Sequence, residues 1–380
     1  MSAEAPLTTA PTWAEISHAA LKHNFEGIRA RVGKGPHGQP REIWPAVKAD
    51  AYGHGAVMIS RWLKALGAEG LCVARAGEGQ ELRDSGIPGP IALLTPFLPE
   101  QAVEVVRADL EPVVCRRDQI EALAAIDRPK PTPIHIKIDT GMSRVGVVLD
   151  EAAEFCRWAQ SQKGVAIRGL CSHFATADER DKSFSQLQMD RFFDLANSLR
   201  ESGVKFEHMH IANSAAIMDL PDSWSTLVRP GIMTYGLEPS IHVKLTVDLQ
   251  PVMALKTRVL LVKHIPAGAG VSYGLTWVAP DRVRIATLPI GYADGLPRIA
   301  SSKGEMIVRR RRVAQIGRIC MDLTMIDVTL IEGVAVGDEV VVWGRQGDEQ
   351  VHVDEWAQLC GTINYEMTTR LGPRVPRIPV

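Results

Sequence analysis

From Trp13 to about Asp248, short apolar runs alternate with helix-like segments. The runs are marked by Val47 and by residues 71–73, 91–94, 112–114, 134–138, 167–170, 208–211 and 227–228. Amphipathic stretches such as 56–66, 99–107 and 184–200 lie between them. Short, continuously apolar runs fit strands buried on both faces, and a 3.6-residue rhythm between them fits helices. Eight such alternations predict an α/β architecture, a parallel (β/α)8 barrel over residues 1–248, with a doubly wound open sheet as the competing arrangement. After Leu249 the helical rhythm fades. Short runs at 254–261, 283–288, 306–308 and 339–342 are separated by Gly, Pro and Asp turns, which predicts a separate, mostly β domain over 249–380. The first ~16 residues, with Trp13-Ala14-Glu15-Ile16, are candidates to pair with that domain.

Composition narrows the function classes. The 380 residues suffice for two domains, and 46% hydrophobic content supplies a sizeable core. With 43 basic and 44 acidic residues, nothing points to a nucleic-acid partner, and Arg309–Arg312 reads as a solvated edge. Residues 1–11 lack a basic stretch followed by an apolar one, and no run is long enough to cross a membrane. The six scattered cysteines form no CxxC pair, which argues for reduced thiols in the cytoplasm and against disulfides or a bound metal.

In a barrel, chemistry gathers at the carboxyl ends of the strands. The unusual polar residues follow the apolar runs in that way. Lys48 and Tyr52 follow the first run; Lys137, Asp139 and Arg144 the fifth; His173 the sixth; His210, Asn213 and Ser214 the seventh; Arg229 the eighth. A lysine carried out of bulk water at a strand end loses part of its preference for the charged form. It becomes the nucleophilic amine that captures an aldehyde cofactor. Ser214 opens a helix-like segment and Gly231 permits close backbone approach, the features of a phosphate site after the last two strands. Each residue alone reads more simply as a solvent-reaching lysine, a helix cap, an ordinary turn or a structural histidine. Their recurrence at successive strand ends is harder to dismiss.

The segments VKADAYGHG (47–55), KIDTGMSRVG (137–146), SHFATADE (172–179), IANSAAI (211–217), RPGIMTYGL (229–237), VSYGLTW (271–277), IGYADG (290–295), GRICMD (317–322) and INYEMTTRL (363–371) occur in order and cover nearly the whole chain. Together they resemble the alanine racemase family. The resemblance implies a cytoplasmic, pyridoxal-phosphate-dependent isomerase that interconverts L- and D-alanine and supplies D-alanine for peptidoglycan. It implies a head-to-tail homodimer with shared active sites. It makes Lys48 the cofactor lysine and one of two bases, and Tyr273 the second, on the opposite face. Arg229 corresponds to the arginine facing the pyridine nitrogen. Arg144 corresponds to the one contacting the phenolic oxygen and the substrate carboxylate, positioned by Lys137, which is carbamylated in many members. Tyr52, Ser214, Gly231, Ile232 and Tyr365 correspond to phosphate contacts, with Asn213 beside them. His173 and His210 match histidines linking the tyrosine base and Arg229, and Met321 offers its N–H to the substrate carboxylate. Cys320 and Asp322 flank Met321 in a supporting role. Tyr292, Asp178, Arg298, Arg318 and Ile363 match residues of the substrate entrance. Ser143 departs from the Gly that many members carry. Three rivals remain: a broader racemase acting on serine or basic amino acids, a non-catalytic cofactor-binding barrel, and a decarboxylase of the same architecture. VSYGLTW and GRICMD argue against the non-catalytic barrel, which lacks the β domain.

Overall fold

The computed structural model describes residues 9–35 and 38–380; the reading of residues 1–8 as free of a targeting signal falls outside that range. The chain divides into two compact units. One comprises Ala20–Ala51 and Gly55–Gln250. The other comprises the described residues up to Ala19, Tyr52–His54 and Pro251–Val380.

The first unit is built on parallel strands. Leu71–Val73, Ile91–Leu93, Glu111–Val114, Thr132–Asp139, Val165–Cys171 and His208–His210 form a ladder in that spatial order. Glu42–Ile43 and Leu227–Val228 form a parallel pair. The pair ties to both ends of the ladder. Val47 N–H donates to the Cys72 carbonyl at 2.8 Å, and Met209 N–H donates to Thr226 Oγ1 at 2.9 Å. Eight strands therefore close into a barrel, with helices such as Ala56–Ala65, Leu149–Ser161 and Ser183–Glu201 between them. Sequences such as Leu71–Val73 and Ile91–Leu93 are buried throughout, as parallel strands covered on both faces require. The apolar run that ends at Val47 differs from its expected form. Its regular strand extends only over Glu42–Ile43, with a bridge between Ala46 and Cys72, although main-chain bonds continue from the Trp44 N–H to the Val228 carbonyl at 3.0 Å and from the Ala46 N–H to the Pro230 carbonyl at 2.8 Å; Pro45 offers no donor of its own.

The second unit is an antiparallel-rich sheet. Its order is Leu261–Ile265, Val283–Leu288, Thr324–Asp327, Arg311–Ile316, Glu305–Val308, Glu339–Gln346, Met253–Arg258, Thr12–Ile16 and Arg377–Pro379. Thr12–Ile16 runs antiparallel to Met253–Arg258 and parallel to Arg377–Pro379, so the amino-terminal strand belongs to this sheet. The apolar stretch 254–261 resolves into two strands, Met253–Arg258 and Leu261–Ile265, which lie at different places in the sheet. Val271, Ala279, Val283, Ile285, Ile316 and Met325 form a small core beside the VSYGLTW segment. The six cysteines are free thiols, and among the described residues no helix is long and apolar enough to cross a membrane.

Candidate active site

The carboxyl ends of the barrel strands surround a cavity of about 310 Å³. Lys48, Lys137, Asp139, Arg144, His173 and Arg229 line it, with Leu94, Val113, Met142 and Cys171 supplying apolar wall. The residues placed at strand ends one, five, six and eight therefore meet in one space. Its electrostatics are lopsided. Asp139 is the cavity's carboxylate, and it is occupied in accepting the N–H groups of Gly141 and Ser143 at 2.9 and 3.1 Å. Among the described residues no ion pair or hydrogen bond involves the amines of Lys48 or Lys137 or the Arg144 guanidinium. Unpaired cations at one recess are costly without an anionic guest.

Burial sets the protonation pattern. It pushes the Lys48 ammonium below its usual range, with the neighbouring Arg144 charge acting in the same direction. Lys137 is pushed down to about 8, first by burial, with Arg229 and Arg144 adding to the shift. His173 falls well below the ordinary imidazole range through burial and then the charges of Lys137 and Arg229, so its ring is neutral at pH 7. Burial raises the thiols of Cys171 and Cys72, the latter to about 12, which keeps them uncharged.

Lys48 does not simply end a strand. It begins a one-turn helical segment, Lys48–Gly53, in which Ala49, Asp50, Ala51 and Tyr52 all have φ near +53° to +54°. This is a left-handed turn made of residues with side chains, which costs roughly 1–2 kcal/mol per residue. Its hydrogen bonds hold it in place. Ala49 N–H donates to Glu78 Oε1 at 2.7 Å, and Ala56 N–H donates to Asp50 Oδ1 at 2.7 Å. Such strain, kept by surrounding contacts, concentrates at functional positions.

The loop after Thr132–Asp139 carries Arg144 and folds back so that Val147–Val148 pairs with Ile138 and Asp139. Ser143 has φ +56°, the left-handed region in which Gly is unstrained. Gly146 has φ +140°, and a Cβ there would lie 2.5 Å from the Asp139 nitrogen. Gly146→Ala should lower stability by roughly 2–4 kcal/mol and displace Arg144, because the clash is with main chain on one side and strained φ on the other. Denaturant midpoints check it.

At the ends of strands seven and eight, Ser214 Oγ accepts the Gly231 N–H at 2.8 Å. Asn213, rather than Ser214, is the helix cap, its Oδ1 accepting from the Ala216 N–H at 3.0 Å. Ser214 is thereby released from capping and is the first residue of Ser214–Asp219. Ile232 is fully buried, and among the described residues its N–H has no partner. Arg229 donates to the carbonyls of His210 and Ser172, both at 2.9 Å, and to His210 Nδ1; His173 Nδ1 lies 3.5 Å away.

In the second unit, Tyr52 and Tyr365 bring their rings within 6.0 Å of each other. Tyr273 follows Ser272, which has φ +64° and ψ −171°; Ser272 Oγ is 3.2 Å from Cys320 Sγ. Tyr273 and Cys320 line a common hollow with Val271, Leu323 and Met325. The Met321 carbonyl accepts from the Ala293 N–H at 3.0 Å, while among the described residues the Met321 N–H has no partner. Asp322 pairs with Arg374 at 2.8 Å. Tyr292, Met321, Ile363, Asp178 and Arg298 are exposed, and Arg318 is half-buried.

Sequence reading passed over Glu111 and His135. Both lie inside strands and are buried, and His135 Nε2 is 3.0 Å from Glu111 Oε2. The signal was there, since a charged residue heading an otherwise apolar buried strand is rare unless paired.

Comparison with known proteins agrees with this geometry. The family model for the alanine racemase N-terminal domain matches residues 16–239, and that for the alanine racemase C-terminal domain matches residues 252–379. An alanine racemase of Halothermothrix orenii is 43% identical over 371 residues, covering 97% of each chain. One from Methanococcus maripaludis is 40% identical, covering 97% of this chain and 98% of the other. A solved alanine racemase of Clostridium difficile superposes with a TM-score of 0.92 at 34% identity, covering 98% of this chain and 96% of that one. The alanine racemase of Bacillus anthracis with bound L-Ala-P gives 0.90 at 34% identity, covering 99% and 96%. A barrel whose strand ends gather unpaired cations, joined in sequence to a β domain matched by its own family model, belongs to the alanine racemase family of isomerases.

Proposed function

We propose that this protein interconverts L- and D-alanine with pyridoxal 5'-phosphate and two bases, Lys48 and Tyr273. The observation that carries the reading is the cavity in which Lys48, Lys137, Arg144 and Arg229 converge around a single lining carboxylate, Asp139, which is engaged with main-chain N–H groups. That donor set fits a group bearing a phosphate, a phenolate and, with substrate, a carboxylate. When bound, the cofactor supplies an electron sink that acidifies the substrate Cα–H.

The residues divide the work. Lys48, its amine brought toward neutrality by burial, holds the cofactor and moves one proton at Cα. Tyr273 moves the other proton, on the opposite face, since inversion needs removal from one side and return from the other. Tyr52, Ser214, Gly231, Ile232 and Tyr365 hold the phosphate, with Asn213 ordering the Ser214 turn. Arg144 binds the substrate carboxylate, oriented by Lys137, and the Met321 N–H assists. Cys320 and Asp322 support that turn, while Tyr292, Asp178, Arg298, Arg318 and Ile363 guard the entrance.

Tyr273 is 71% exposed, Leu275 61%, Ile363 60% and Met321 52%. Aromatic and apolar side chains left in water in this way support a head-to-tail homodimer, in which Tyr273 of the partner subunit completes the Lys48 site. By the same reading the enzyme is cytoplasmic and supplies D-alanine for peptidoglycan. Incubating purified protein and cofactor with a panel of L-amino acids tests the function. Racemisation of alanine above serine and lysine supports it, and no turnover of alanine overturns it.

Arg229 offers only N–H donors, so with the cofactor bound it would favour an unprotonated ring nitrogen and restrain the electron sink. Arg229→Glu reverses this, because a carboxylate favours a protonated nitrogen. Racemisation should fall roughly 100-fold, and misdirected reprotonation should yield pyruvate, up to one equivalent per cofactor, with the amino group retained by the cofactor. Chiral analysis and a coupled pyruvate assay on folded, cofactor-loaded variant check it. Normal racemisation without pyruvate removes the electronic role.

A further inference from the structure

Arg229 is 6% exposed, and among the described residues its direct partners are histidine nitrogens and main-chain carbonyls. A guanidinium so placed requires a counter-charge within reach. The contacts lead to one. Arg229 Nη1 donates to His210 Nδ1. His210 Nε2 lies 2.8 Å from His135 Nδ1. His135 Nε2 lies 3.0 Å from Glu111 Oε2, and Glu111 Oε1 receives Arg168 Nη1. His135 is 0% exposed, His210 1% and Glu111 5%. The His208 ring stacks 6.3 Å from that of His135, and Trp44 meets His135 edge-on at 5.8 Å, so the middle of the chain is held sterically.

The two ends dictate every proton between them. A guanidinium only donates, so His210 Nδ1 accepts. The neutral ring then carries hydrogen on Nε2 and donates to His135 Nδ1. His135 in turn carries hydrogen on Nε2 and donates to Glu111, which only accepts. Burial and the Arg229 charge hold His210 far below the usual imidazole range, in keeping with a neutral ring.

We propose that Glu111 is the counter-charge of Arg229 and a positioning residue for the reaction, acting through His135 and His210, whose Nε2–H tautomers it enforces. The inference rests on Arg229 facing the cofactor as described above. Glu111→Gln makes the point chemically. Arg168 still demands an acceptor, so the new amide turns its oxygen that way and presents N–H to His135. His135 must then move its proton to Nδ1, and the hydrogen bond through His210 to Arg229 breaks.

The test is ¹⁵N NMR of histidine-labelled holoenzyme, repeated on the apo-protein, for wild type, Glu111→Gln and Arg168→Met. Wild type and Arg168→Met should show Nε2–H tautomers at both His135 and His210. Glu111→Gln should convert His135 to Nδ1–H and lower kcat on the order of 10-fold, with KM little changed. Wild-type His210 protonated at Nδ1 overturns the proposal, and this holds even if Glu111→Gln does not fold. So does a pattern in which both variants lower Tm alike with tautomers and kcat unchanged, the signature of a plain ion-pair staple. A wild-type protein that does not racemise alanine sinks the functional reading and leaves the tautomer result standing. Wrong tautomers in an active racemase sink this inference alone.

Discussion

Lys48→Ala is expected to lower alanine racemisation by about 10⁴-fold or more, because one substitution removes both the covalent attachment of the cofactor and one of two proton-transfer groups. The structural case is specific to this lysine. It faces the same cavity as Lys137, Arg144 and Arg229, and burial moves its amine toward the nucleophilic neutral form. The left-handed turn that starts at Lys48 restricts the main chain, and Glu78 anchors it through the Ala49 N–H. Lys137 lines the cavity too and is pushed down to about 8, so it is the rival attachment point. Borohydride reduction of the cofactor-loaded wild type followed by peptide mapping separates the two. Label on the peptide containing Lys48 supports the assignment, and label on Lys137 or any other lysine overturns it.

Tyr273→Phe is expected to cost roughly 10²- to 10⁴-fold in racemisation, the range for loss of a positioned acid–base group. The substitution keeps the ring and deletes the hydroxyl, so packing in the hollow with Val271 and Leu323 is preserved. Tyr273 is presented by strained main chain, with the preceding Ser272 at φ +64°. Conformations of that kind persist where a side chain must be aimed. The loss should be one-sided. With Tyr273 serving the proton of L-alanine, Lys48 still exchanges the Cα hydrogen of D-alanine. Deuterium wash-in from the two enantiomers, followed separately in the variant, measures the asymmetry. Equal and unimpaired exchange from both removes Tyr273 as a base.

Much of this architecture is legible along the chain because it follows from local pattern. The eight apolar runs stand out since a parallel strand covered on both faces must be apolar at every position. Leu71–Val73 and Leu227–Val228 occupy the residues expected of them. The change of rhythm after Leu249 marks where alternation with helices gives way to the strand-rich second unit. The strand-end cations Lys48, Lys137, Arg144 and Arg229 could be picked out one by one, because charge next to a buried run is conspicuous.

Other features were decided only in three dimensions. The left-handed turn at Ala49–Tyr52 contradicts the local preference of Ala49, Ala51 and Tyr52 and survives through bonds to Glu78 and to the Ala56 N–H. The partition of residues 254–261 into two strands depends on the neighbours each finds in the sheet. The chain from Arg229 to Glu111 joins residues on three strands and the residue that follows a fourth, with 75 positions separating His135 from His210. Sequence periodicity reports which face of an element is buried, and by itself it determined the barrel, the β domain and the candidate strand-end chemistry. Hydrogen-bond direction depends on which atoms meet, so tertiary structure alone decided how that chemistry is oriented.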